Sequence, residues 1–187
     1  MIRIIILFTL LTGAGLAQGQ QISDFSLTDA ASGKEISLGS LANGRAVVLV
    51  FFDHNCPYGK YYLQRLQDLH KRFSSEGIDF LLVSSGRAAS NPAAMAAFAQ
   101  QQQLSMPYLA DLTGQARSRL KATRVPEAFV LKPEKGMFTL VYRGAIDDNP
   151  QSAGDVNHAF LAEALVSLLN NKKPAVNQTR PAGCLIK

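Results

Sequence analysis

The segment Ala46–Phe52 constrains this chain more than any other. It is a continuous apolar run with three valines and two phenylalanines, and Asp53-His54-Asn55-Cys56-Pro57 follows it directly. Seven apolar residues without alternation fit a strand covered on both faces, as in the middle of a layered α/β sheet. Beyond Cys56-Pro57 the period changes. Tyr62, Leu63, Leu66, Leu69 and Phe73 recur at three- and four-residue spacing, with Lys60, Arg65, Lys71 and Arg72 between them. That is an amphipathic helix, and Pro57 suits its first turn. Cys56 is thus expected at the junction of a buried strand and a helix start.

The remaining chain supports a layered domain. Phe25–Leu38 reads as two strands around the turn Ala31-Ser32-Gly33, and Leu41–Gly44 as a loop. Ile78–Val83 is a further buried strand after Glu76-Gly77. Asn91-Pro92 opens a helix over Ala93–Gln103, Tyr108–Ala110 is a short strand, and Gln115–Lys121 is a short helix. Ala128–Leu131 and Phe138–Arg143 form a hairpin around Pro133–Gly136, and Asp155–Leu169 is a last amphipathic helix that includes His158. From Asn170 the composition turns to Asn, Lys, Pro and Thr, as in a tail lying on the surface or mobile. This order calls for a three-layer α/β domain. With 47% hydrophobic and 18% charged residues in 187, a buried core is feasible.

Residues Met1–Ala17 read as an export signal. Arg3 precedes the apolar run Ile4–Leu11, and Gly15 and Ala17 give the small-residue pattern of a cleavage site. The run is shorter than the roughly 20 residues that span a bilayer, so no stable membrane anchor is expected after cleavage. The organisation expected is a signal peptide over 1–17, a domain over 18–170 and a tail over 171–187, in a periplasmic or secreted protein. The net charge of +5 comes without a long basic run, so nucleic-acid binding is not expected. Two cysteines, Cys56 and Cys184, are too few to staple a miniature fold, and an oxidising compartment permits a disulfide between them.

A cysteine at a helix start has a chemical role open to it. Free amides of the first turn favour thiolate over thiol by about 0.3–1 kcal/mol, and by ~2 kcal/mol when partly buried. This lowers a thiol pKa of about 8.5 by roughly one unit. His54 or Lys60 could add to the effect and Asp53 could oppose it; the sequence does not say which lies closest.

Several segments carry a family resemblance: Asn55-Cys56-Pro57-Tyr58 with Tyr62 and Leu66, Thr123–Pro126, Gly144–Asn149, and Gly183-Cys184-Leu185-Ile186-Lys187. The chain resembles the thioredoxin superfamily, in its redoxin branch related to alkyl hydroperoxide reductase and thiol-specific antioxidant proteins (AhpC/TSA). The resemblance implies a thioredoxin-like three-layer fold, a central mixed sheet flanked by helices, with an N-terminal β-hairpin extension. It implies a reactive Cys56, a cis-Pro126 whose loop sits against the sulfur, and protein thiols, disulfides or hydroperoxides as substrates. A thioredoxin-type electron donor, and no cofactor, go with that chemistry. Two departures narrow it. The second cysteine of the thioredoxin Cys-x-x-Cys is Gly59 here. The peroxiredoxin Pro-x-x-x-Thr-x-x-Cys has Leu49 for its proline and Asp53 for its hydroxyl residue.

Cys184 could supply the missing partner. A tail from Asn170 can bring the two α-carbons within the roughly 4.4–6.8 Å that a disulfide needs. Cys56 would then attack, and Cys184 would resolve the mixed disulfide or sulfenic acid. A bracing disulfide, an intermolecular one or an idle thiol are the alternatives. His54, Cys56 and Cys184 are possible ligands for copper or zinc, but the Cys-x-x-x-Cys spacing of copper-delivery relatives is absent, and no metal is expected. Asp147-Asp148 reads as a turn pair rather than an acid–base couple. Asn177-Gln178-Thr179 matches a glycosylation sequon.

Overall fold

The computed structural model describes residues 19–187, so the expected signal peptide over 1–17 lies outside the described residues. Its strands are β1 (Gln21–Ile22), β2 (Ser26–Asp29), β3 (Glu35–Ser37), β4 (Ala46–Phe51), β5 (Ile78–Ser85), β6 (Tyr108–Asp111), β7 (Arg124–Val125), β8 (Glu127–Glu134), β9 (Met137–Gly144) and β10 (Cys184–Leu185). The helices are α1 (Pro57–Phe73), α2 (Pro92–Gln101), α3 (Gln115–Leu120) and α4 (Phe160–Leu169). The main sheet runs β1-β9-β8-β4-β5-β6-β2-β3, and β7 pairs with β10 in a separate two-stranded sheet. In the main sheet β4, β5 and β6 pair in parallel, and β8 closes against β4 antiparallel in the register Leu49 to Phe129.

Every residue of β4 is buried. Its side chains divide between two cores, as strand geometry requires. Ala46, Val48 and Val50 join a core with Tyr62, Leu63 and Leu66 of α1, Met95 of α2 and Leu161 and Leu165 of α4. Val47, Leu49 and Phe51 join another, with Ala116 and Leu120 of α3, Phe25 and Leu27, Val125 and Ile186. Helices therefore cover both faces, as the three-layer reading expected. Each fully buried large apolar side chain contributes about 1.5–3 kcal/mol relative to exposure. The hairpin β2–β3 extends the sheet beyond β6. No helix among the described residues is long and apolar enough to cross a membrane.

One departure from the sequence reading has a clear physical cause. The last helix begins at Phe160 rather than Asp155, because residues 145–159 are engaged elsewhere. Asp147, 6% exposed, accepts from the Tyr62 hydroxyl at 2.7 Å and pairs with Arg65 at 2.6 Å. Burial first, then this hydrogen bond, pushes the Tyr62 phenol far above its ordinary range. Asp148 accepts from the Asn157 amide, and its own amide donates to the His158 carbonyl. His158 is thus an exposed loop residue stacked on Phe160, not a helical one. Asp147 does serve a turn, accepting from the Asn149 amide, but it also ties that turn to α1.

The tail follows the first of the two courses that its composition allowed. It lies on the surface, and it is fixed there. The Thr179 amide donates to the Arg143 carbonyl of β9 and the Arg143 amide to the Asn177 carbonyl, and the Thr179 hydroxyl accepts from the Ala145 amide at 2.9 Å and meets the Tyr142 hydroxyl at 2.7 Å. The hydroxyl of the sequon is therefore occupied in holding the tail. Burial raises the Tyr142 phenol to about 12, leaving it a neutral donor to the Ala145 carbonyl.

Candidate functional site

Strand β4 ends at Phe51, and the Phe52 amide makes one more bond to the Val83 carbonyl. The chain then turns, with the Cys56 amide donating to the Asp53 carbonyl at 3.0 Å. Cys56 is the N-cap of α1 in extended conformation, and Pro57 occupies the first helical position. Pro57 has no N–H, and the Lys60 amide makes the first intrahelical bond, to the Cys56 carbonyl. The Tyr58 and Gly59 amides therefore stand at the open positive end of the helix, beside the cysteine.

The structure brings together all three residues singled out from the sequence. Cys56 and Cys184 form a disulfide across 128 positions of chain, with α-carbons 6.2 Å apart. The Val125–Pro126 peptide bond is cis. The Cys56 Sγ lies 3.5 Å from the Val125 carbonyl oxygen. In the disulfide that is a contact, since the sulfur carries no proton; a Cys56 thiol could donate along the same line. Cys56 is 3% exposed, whereas Cys184 is half-buried. A cavity of about 320 Å³ opens beside the disulfide, and Asp53, Asn55, Arg87 and Lys187 are among its walls.

Two of the three neighbours whose influence the sequence left open, Asp53 and His54, have partners of their own. The Asp53 carboxylate accepts from the Asn55 amide at 2.8 Å, holding the turn. His54 stacks on Phe98 at 5.2 Å between ring centres, and its Nδ1 lies 3.2 Å from the Tyr108 hydroxyl. Burial drives the Tyr108 phenol well above its usual range, so it remains a hydroxyl. Among the described residues, no three His, Cys, Asp or Glu side chains converge to hold a metal ion.

One group at the loop was not singled out from the sequence. Glu127, 1% exposed, accepts from the Thr123 and Arg124 amides at 2.9 and 3.2 Å and pairs with Arg143 at 2.8 Å. Its carboxylate clasps the segment leading into Pro126. An acidic residue opening an apolar strand was the only available hint, and it is indistinguishable from a strand-edge charge in the sequence.

Residues 18–139 match the AhpC/TSA family. The chain belongs to this family. An uncharacterized conserved protein from Geobacillus kaustophilus is similar in structure, with TM-score 0.81 and 26% identity over 91% of each chain. A hypothetical protein from Sinorhizobium meliloti 1021 is similar with TM-score 0.80 and 25% identity, over 92% of this chain and 94% of that one. Peroxidoxin BcpB from Mycobacterium tuberculosis shares the fold at 19% identity and TM-score 0.61, over 82% of this chain and 96% of that one. No curated protein matches the chain.

Against the AhpC/TSA background, Gly59 has a steric explanation. It is buried in α1, and a β-carbon there would lie 2.6 Å from the Asp53 carbonyl oxygen and 3.1 Å from the Phe52 ring. The backbone turn that delivers Cys56 occupies the space a second cysteine would need. Gly59→Cys is therefore expected to lower stability by about 1–3 kcal/mol in urea unfolding. Peptide mapping of the oxidised variant is expected to return the Cys56–Cys184 bridge; a bridge between positions 56 and 59 would contradict the packing argument.

Proposed function

We propose that this AhpC/TSA protein is an exported thiol–disulfide oxidoreductase in which Cys56 is the nucleophile and Cys184 the resolving thiol. The observation that carries the proposal is the Cys56–Cys184 disulfide, set at the open end of α1 against cis-Pro126. In the reduced chain the Cys56 thiolate attacks one sulfur of a substrate disulfide, forming a mixed disulfide and releasing one substrate thiolate. The Cys184 thiolate then attacks Cys56 Sγ, the bond to the substrate breaks, and the second substrate thiolate leaves. Two electrons have passed to the substrate and the chain holds Cys56–Cys184. A thioredoxin-type dithiol donor restores it. Its thiolate meets the more accessible Cys184 sulfur, and Cys56 departs as the thiolate that the helix end favours.

The peroxidase reading of the family has less support. A peroxide-binding site next to Cys56 needs a hydrogen-bond donor, and Asp53 offers a carboxylate already used by Asn55. Export is supported by the signal-like sequence of residues 1–17 and by the presence of a disulfide, which persists in oxidising compartments. Insulin reduction and hydroperoxide consumption, measured for the natural chain, Cys56→Ser and Cys184→Ser, test the assignment. Insulin reduction that depends on Cys56, without peroxide turnover, is the expected result. Activity surviving in Cys56→Ser would refute it, and peroxide turnover would shift it to the peroxidase class.

A further inference from the structure

Residues Gly183–Lys187 lie in a groove beside Cys56, and the groove holds them mostly by their backbone. Strand β10 pairs antiparallel with β7, Cys184 opposite Val125 and Leu185 opposite Arg124. The Arg124 guanidinium donates to the Gly183 carbonyl at 2.8 Å, and the Arg117 guanidinium to the Ile186 carbonyl at 3.1 Å. The Ile186 amide donates to the Thr123 carbonyl at 3.1 Å, and the Arg87 amide donates to the Lys187 carbonyl at 2.9 Å. None of these contacts reads a side chain, so any extended peptide could make them.

Side chains are read at two positions only. A β-carbon on Gly183 would collide with the Val125 carbonyl. Ile186 is 8% exposed and belongs to the apolar core that includes Ala116, Leu120, Ala122 and Val125. Leu185 between them is 60% exposed. The tail thus displays a pattern: a residue without a side chain, the reacting cysteine, an unread residue, an aliphatic residue.

We propose that this groove is the binding site for the substrate, an extended polypeptide bearing a cysteine preceded by glycine and followed two residues on by an aliphatic side chain. The tail is the internal copy of that ligand. This inference rests on Cys56 being the attacking thiol. Substrate and tail exclude one another. Reduction frees the tail to leave, and the substrate strand pairs with β7 and forms the mixed disulfide. Cys184 then attacks the Cys56 sulfur on the side opposite the substrate's sulfur, and the tail settles beside β7 once the substrate thiolate has left.

The test uses the full chain with Cys184→Ser and pentapeptides whose cysteine carries a thionitrobenzoate disulfide. Attack by Cys56 forms the mixed disulfide with the peptide and releases coloured thionitrobenzoate. Each rate is divided by that of free glutathione with the same peptide, which removes intrinsic differences in reactivity. The probe Gly-Cys-Leu-Ile-Lys is expected to react at least about tenfold faster than Gly-Cys-Leu-Gln-Lys or Val-Cys-Leu-Ile-Lys. Gly-Cys-Gln-Ile-Lys is expected to stay within about threefold of the first, because position 185 is unread. Ile186→Gln in the same chain loosens the competing tail and is expected to raise the rate with the first probe. Equal normalised rates across the peptides would overturn the groove, and an Ile186→Gln rate that does not rise would overturn its occupancy by the tail. Failure of Cys56 to release thionitrobenzoate even from the small symmetrical reagent would instead refute Cys56 as nucleophile.

Discussion

In the Cys184→Ser protein, reduction of a protein disulfide is expected to stop at the mixed disulfide with Cys56. One equivalent of substrate thiol is released per chain, and steady-state turnover without added small thiols falls by at least about a thousandfold. The reason lies in how the site is built. Gly59 leaves α1 without a second thiol, and its steric surroundings leave no room for one. Cys184 is the other cysteine in the sequence, and it is the one bonded to Cys56. Cys56→Ser is expected to lose the first release as well as turnover, since an unactivated hydroxyl does not attack a disulfide at neutral pH. Quenched-flow counting of released thiols, with mass spectrometry of the trapped covalent complex, separates the two variants. Continued turnover in Cys184→Ser would mean that an outside thiol resolves the intermediate.

Reduction of the disulfide is expected to lower the unfolding free energy by about 2–4 kcal/mol, with a chain-entropy ceiling of ~5 kcal/mol for a closed loop of this length. The bridge spans 128 positions and so encloses most of the described chain. Its effect is chiefly on the unfolded ensemble, because the native tail keeps other anchors: Thr179 on Tyr142 and Ala145, and Ile186 in the core. Urea unfolding with and without a reductant is expected to show a midpoint lower by ~1–2 M in the reduced protein. The folded reduced chain keeps its sheet, while amide exchange quickens in the last residues, which gain the freedom a substrate needs. An unchanged midpoint would show that the bridge does not constrain the chain in solution.

Much of the architecture follows from short stretches. The apolar run Ala46–Phe52 is a strand buried on both faces, and the three- and four-residue spacing from Tyr62 to Phe73 is a helix with Pro57 at its first position. Cys56 at their junction, and the place of Pro126 before β8, were legible for the same reason: strand and helix periods are written in adjacent residues. The start of α4 was not. Asp155 looks like a helix opening, but Asp147, Asp148 and His158 draw that segment into a loop through partners as distant as Tyr62 and Arg65.

The sequence by itself determined the layered α/β fold, the position of Cys56 at a helix start, and the absence of a neighbouring thiol at position 59. The tertiary structure alone decided that Cys184 reaches Cys56, that Glu127 clasps the loop before Pro126, and that the tail lies strand-like in a groove. Strands of two residues, such as β7 and β10, are too short to show a period. Their pairing depends on backbone groups, the Arg87 amide among them, and on the Arg117 and Arg124 guanidiniums, which come together only when the sheet has formed. The steric reason for Gly59 is of the same kind, since it is set by the carbonyl of Asp53 and the ring of Phe52 across a turn. Periodicity records what one element needs for burial; the space left between elements is fixed only when they pack.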